Sequence, residues 1–120
     1  MATLSTFVID AADPVALAEF YHRLTGWQIA DSDPTWATLT GDGPVSLAFQ
    51  QVPGYRGPSW PDPAKHAHLD LVTDDLSHST EEVLRLGGSK PDYQPGGQAY
   101  TVFADPEGHL FCLAGPSDPT

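Results

Sequence analysis

Lys65-His66-Ala67-His68-Leu69-Asp70-Leu71 places two histidines and a carboxylate at alternate positions, with Leu69 and Leu71 between and after them. In an extended chain successive side chains point to opposite faces, so His66, His68 and Asp70 form one polar row above an apolar underside. Such a row can hold a divalent metal, pass a proton near neutral pH, or line the polar wall of a pocket. The plain alternative is the wetted face of an open sheet.

Other residues with chemical capacity have structural readings beside the functional ones. Cys112 is a potential nucleophile, but LFCLA around it has the composition of a core strand, where a thiol acts as a small hydrophobe. Asp105 and Glu107 are a carboxylate pair within ADPEG, whose composition is that of a chain reversal. Tyr55 and Trp60 fall in a proline-rich stretch, as a lid, a subunit contact or part of a packed linker. His22 and His78 fall on the solvent side of helices, and His109 follows a turn with no assigned role. The chain shows neither a phosphate-cradling glycine loop nor a Ser-His-Asp pattern.

The elements that position these residues follow from periodicity and punctuation. LSTFVI (4–9) is predicted as a strand; Asp13 caps a helix whose first residue is Pro14, whose stripe is Leu17, Phe20, Tyr21 and Leu24, and whose stop is Gly26. Glu19 and Arg23 make an i,i+4 pair on it. WQIA, WATLT and VSLAFQQV then alternate with turns at DSDP and GDGP, as three strands. The same order returns: strand HAHLDLV, cap Asp75, helix LSHSTEEVLRL with a Glu81–Arg85 pair, stop at Gly87 and Gly88, and strands SKPDY, QAYTVF and HLFCLA. Asp13 and Asp75, Leu24 and Leu86, and Gly26 and Gly88 are each 62 positions apart (75 − 13, 86 − 24, 88 − 26). Trp36 and Tyr100, and Leu39 and Phe103, are 64 apart (100 − 36, 103 − 39). The pattern is an internal βαβββ repeat. It predicts an α+β fold of two tandem modules, about 3–53 and 66–115, joined by a linker at about 54–65 and curving into a shared cup. At matched positions of the two modules, Trp36 and Tyr100 either stack on a flat ligand or fill core.

Bulk properties narrow the partners. A chain of 120 residues with 40% apolar composition suits one compact domain, and 12 prolines with 11 glycines suit short strands and tight turns. A formal charge of −11, from 16 acidic against 5 basic residues, repels phosphate backbones and anionic lipid. A lone cysteine forms no intrachain disulfide, MATLSTFVID lacks the features of a signal peptide, and no apolar run approaches the roughly 20 residues of a membrane span. The expectation is a cytoplasmic protein without nucleic-acid or membrane partners.

Four segments carry a resemblance: DPxALAEFYxxLxGW at 13–27, LAFQxV at 47–52, HLDLxxDDL at 68–76 and ADPEGHxFCL at 104–113. Together they resemble the vicinal oxygen chelate superfamily, which groups glyoxalases, bleomycin-resistance proteins and dioxygenases, and among these the small two-module glyoxalase-like domains. The resemblance implies paired βαβββ modules whose cup holds a divalent metal acting as a Lewis acid, or, without metal, a sequestered small molecule. It also implies a homodimer, side by side or with modules exchanged.

By the same resemblance, metal ligands come from the first and last strands of each module. His68 and Cys112 take those positions in the second module, and the repeat offsets assign Thr6 (68 − 62) and Ala48 (112 − 64) in the first. Threonine is a weak ligand, alanine none, and Cys112 stands where the family usually has glutamate. A rearranged site of His66, His68, Gln50 and Cys112 is the metal-bearing alternative, with zinc favoured by the thiolate. The expectation is therefore a small-molecule binder without the family's catalytic metal. His66, His68, Asp70, Gln50 and Thr6 supply polar contacts, and Trp36, Tyr100, Ala48 and Cys112 the apolar surface. Three other readings stand beside it: a metal-dependent lyase, isomerase or ring-cleaving dioxygenase; a metal-free enzyme with His68 as general base; and a protein-interaction module.

Overall fold

The computed structural model describes residues 1, 3–58, 60–61 and 67–115. The fold is α+β, and the chain divides into two compact units, Met1–Arg56 and Gly57–Thr120, each with one helix and one sheet.

The first unit contains β1 (Thr6–Ala11), α1 (Pro14–Thr25), β2 (Gln28–Asp33), β3 (Trp36–Thr40) and β4 (Ser46–Gln51), with sheet order β1-β4-β3-β2. β1 runs parallel to β4 and the other pairs are antiparallel. α1 begins where the sequence signals it: the Asp13 carboxylate accepts from the Ala16 N–H at 3.2 Å, and Pro14 occupies the first turn. Gly26 ends it at φ 79°, a left-handed conformation suited to glycine. Leu17, Phe20 and Tyr21 are buried, and the Tyr21 ring stacks on Phe49 of β4 at 5.6 Å. β2 extends to Asp33, into the predicted turn at DSDP, because the reversal needs only Pro34 and Thr35 and Asp33 pairs with Trp36. The Asp33 carboxylate accepts from the Thr35 N–H (2.8 Å), the Thr35 hydroxyl (2.7 Å) and the Trp36 N–H (3.2 Å). The Thr35 hydroxyl bond leads in holding that carboxyl below its ordinary value.

The second unit contains β5 (Leu69–Val72), α2 (Leu76–Arg85), β6 (Thr101–Ala104) and β7 (Leu110–Ala114), ordered β5-β7-β6, with β5 parallel to β7. Asp75 caps α2 by accepting from the His78 N–H at 3.0 Å. The predicted Glu81–Arg85 pair is replaced by Glu82–Arg85, one residue closer, with Arg85 Nε 3.2 Å from Glu82 Oε2. β5 is shorter than predicted. Leu69 already lies opposite Phe111, one residue into β7, so Ala67 and His68 precede the strand, and His66 lies outside the described residues.

SKPDY does not form the predicted strand. Only Ser89 joins the ladder, as a single bridge to Ala104, since Pro91 has no N–H to continue it. A side chain takes over instead: Gln94 Nε2 donates to Val102 O (2.9 Å) and Pro91 O (2.8 Å), while Gln94 Oε1 accepts from Val102 N (2.8 Å). A primary amide carries the same donor and acceptor as a peptide group, so Gln94 serves as the missing partner on the edge of β6.

Candidate functional site

Pairing register assigns the two faces of the second sheet. Asp70 lies opposite Cys112 and Cys112 opposite Val102, which puts these three on one face. Leu69, Phe111 and Phe103 share the other, where the two phenylalanine rings stack at 5.8 Å. The first face floors a concavity of about 690 Å³. Val102 and Leu110 form its apolar base, His68 and Asp70 one edge, and Tyr100 and Trp60 the aromatic wall. Trp60 is fixed by its indole N–H, which donates to Tyr93 O at 3.0 Å, and by ring packing on Tyr93 at 5.8 Å. Its neighbours Pro58 to Pro61 gave no periodicity from which this docking could be read.

Asp70 is the centre of the polar edge. Its Oδ1 lies 3.1 Å from His68 Nε2, with the two side chains 76% and 49% exposed. Across the ladder, the Cys112 thiol is pushed above its ordinary value by burial first, then by the Asp70 charge and the hydrogen bond to that carboxylate. Cys112 is therefore a half-buried thiol that keeps its proton beside Asp70, an arrangement that works against a nucleophilic thiolate. An Nε2–H donated from His68 to Asp70 leaves Nδ1 as the ring's basic nitrogen.

Among the described residues, His68, Asp70 and Cys112 form a group whose ligand atoms lie within 4.8 Å of one another. One imidazole, one carboxylate and one thiol fit zinc with an open fourth position, once Cys112 loses its proton. They do not reproduce four ligands drawn from both modules. Asp70, part of the polar row but outside the rearranged ligand set, is the third donor of the group; Gln50 belongs to the other unit and His66 is not described.

The remaining sequence candidates lie in the first unit. Thr6, Ala48, Gln50 and Trp36 share the sheet face opposite Phe49, with Ala48 between Val8 and Thr38, and Gln50 between Asp10 and Trp36. Gln50 is exposed, Ala48 buried, and Thr6 and Trp36 half-buried. The Trp36 indole N–H donates to Thr38 Oγ1 at 2.8 Å, within its own strand. Asp10 was not singled out from sequence, although its alternation with Thr6 and Val8 predicts the shared face.

Two histidines differ from expectation. His22 is half-buried rather than solvent-facing, with Nδ1 2.6 Å from Trp27 O. His109 is engaged: its Nδ1 lies 2.8 Å from Asp105 Oδ2, and Asp105 also accepts from the N–H groups of Glu107 (2.8 Å) and His109 (3.0 Å). Asp105 is only 3% exposed, so ADPEG is a buried-carboxylate turn, structural as expected but more firmly tied than its composition indicated.

Two sheet-and-helix units of βαβββ type, the second with an open concave face, define the glyoxalase class of fold. A family model for the glyoxalase-like domain matches residues 6–114, and the chain belongs to that family. Among solved structures it is similar to a glyoxalase/bleomycin resistance protein/dioxygenase family enzyme from Burkholderia phytofirmans PsJN, at 21% identity and TM-score 0.72, covering 95% of this chain and 98% of that one. A glyoxalase-related enzyme from Fulvimarina pelagi matches at 21% identity and TM-score 0.69, covering 97% and 89%. A bleomycin-binding protein complexed with bleomycin matches at 25% identity and TM-score 0.59, covering 98% and 100%. No curated protein matches the chain. Among the described residues no helix is long and apolar enough to cross a membrane.

Proposed function

We propose that the protein binds a small organic molecule in the concavity of its second module, without the four-ligand metal of its family. The observation that carries this reading is the combination of volume and lining: about 690 Å³ over an apolar floor, with His68, Asp70 and Cys112 clustered on one side. Pockets for organic ligands have that character, a large apolar surface with a few converging polar groups. The bleomycin-bound neighbour supports the reading by showing a related fold holding an organic ligand. In the fuller form of the proposal, Thr6, Trp36, Ala48 and Gln50 of the first module also serve ligand binding, and two copies form a cytoplasmic homodimer.

The test is a thermal-shift screen of an aromatic and heteroaromatic library against the full chain and Tyr100→Ala. Stabilisation of the parent that shrinks in Tyr100→Ala supports the reading; no hit in either overturns it. The His68, Asp70 and Cys112 cluster favours a second reading, a zinc-dependent lyase, isomerase or dioxygenase. Elemental analysis of untagged protein purified without chelator separates the two. Stoichiometric zinc that disappears in His68→Ala would establish the second reading; substoichiometric metal after zinc is offered supports the first. A metal-free enzyme with His68 as general base would turn over the bound ligand and lose that turnover, but not the binding, in His68→Gln.

A further inference from the structure

Among the described residues lining the concavity there is one carboxylate, Asp70, and no lysine or arginine. Asp70 is 76% exposed and uses one oxygen, Oδ1, toward His68, so a ligand can reach it from the open side. The aromatic wall is built from Trp60 and Tyr100, with Trp60 held in place by Tyr93, to whose carbonyl its N–H donates and on whose ring it packs. Both features favour positive charge: a carboxylate pairs with a cation, and aromatic faces attract one through their quadrupole. The surrounding field has the same preference, with 16 acidic against 5 basic residues in the chain.

Resting on the pocket reading above, we infer that the ligand class is a planar aromatic cation, with its ring against Trp60 and Tyr100 and its charge beside Asp70. Anionic ligands meet the Asp70 carboxylate and a net charge of −11. Neutral flat ligands keep the stacking and the apolar floor but lose the charge pairing. Cys112 reinforces the selection, since a protonated thiol beside Asp70 brings no charge that would neutralise it.

The experiment titrates the full chain, in about 0.15 M salt where the Debye length is roughly 8 Å, with three flat probes: proflavine as cation, acridone as neutral analogue and anthracene-9-carboxylate as anion. Proflavine is expected to bind at least about tenfold more tightly than acridone, with the carboxylate weakest. Asp70→Asn is expected to bring proflavine down to the affinity of acridone and leave acridone unchanged, while Asp70→Glu keeps most of the preference. Asp42→Asn, at an exposed residue of the first unit, removes the same charge and is expected to change nothing. Equal affinity for proflavine and acridone in the parent overturns the inference and leaves the pocket reading intact. Equal losses in Asp42→Asn and Asp70→Asn overturn it by showing diffuse charge attraction. Binding of none of the three probes removes the pocket reading and this inference together.

Discussion

At the scale of residues, Asp70 determines what Cys112 can do. Burial is the larger reason the thiol holds its proton, and the facing carboxylate is the second. Because the folded chain binds that proton more tightly than an unfolded one, this contribution to stability is complete below the ordinary thiol value of 9.0 and is lost as pH rises beyond it. Alkylation by iodoacetamide, followed by intact mass on a chain with one cysteine, should show a rate midpoint above 9.0. Asp70→Asn should lower the midpoint and quicken the reaction severalfold at pH 8, yet leave the midpoint above 9.0, because burial remains. A midpoint unchanged in Asp70→Asn would show that the carboxylate does not face the thiol. The alternation of His68 and Asp70 was legible because period two is a local property of the chain. The position of Cys112 beside them was given only by the family resemblance, since LFCLA is apolar on both faces and its periodicity does not show which residues are covered.

At the scale of elements, the same division between local and long-range information recurs. Asp13, Pro14, Gly26 and Asp75 mark helix ends through bonds reaching at most a few residues, and all four act as the sequence signals. Gln94 acts across 8 residues on Val102, and nothing in its neighbourhood distinguishes it from any loop glutamine. Gln94→Ala should cost about 1–2 kcal/mol by leaving the edge of β6 unpaired, and should weaken ligand binding through the adjoining Tyr100. Gln94→Glu is the sharper variant, because it keeps the shape but removes both donated bonds and sets a carboxylate against the carbonyls of Pro91 and Val102. Denaturant unfolding should rank it no better than Gln94→Ala at pH 7, with partial recovery as pH falls and the carboxyl regains a proton; recovery toward higher pH would contradict this account. The ADPEG turn is tested in the same way. Asp105→Ala withdraws the acceptor from the N–H groups of Glu107 and His109 and should cost on the order of 2–4 kcal/mol. A loss below about 0.5 kcal/mol, the range of ordinary surface substitutions, would show that the buried carboxylate is dispensable.

At the scale of the whole molecule, excess negative charge opposes the compact state. The formal charge of −11 is set against only 5 basic side chains, so repulsion between like charges is mostly uncompensated at neutral pH. Raising sodium chloride from about 0.02 M to about 0.5 M shortens the Debye length from roughly 20 Å to roughly 4 Å. The melting temperature should therefore climb by several degrees and then level off as screening saturates. Lowering pH from 7 toward the isoelectric value near 4.4 should also stabilise the chain in low salt, because protonation removes the same repulsion. The benefit has an acid limit. Asp33 holds the β2–β3 turn as a carboxylate below its ordinary value of 3.8, so its contribution persists as pH falls to that range and is lost below it, where the group accepts a proton. Calorimetric scans at low and high salt should accordingly converge near pH 4.4, where there is little net charge left to screen, and diverge toward pH 8 with the high-salt curve above. A high-salt curve that lies below the low-salt curve at pH 8 would mean that specific ion pairs outweigh the net repulsion. The Glu82–Arg85 ion pair is a partly exposed neighbour pair of the kind that contributes little, so repulsion is the term expected to prevail.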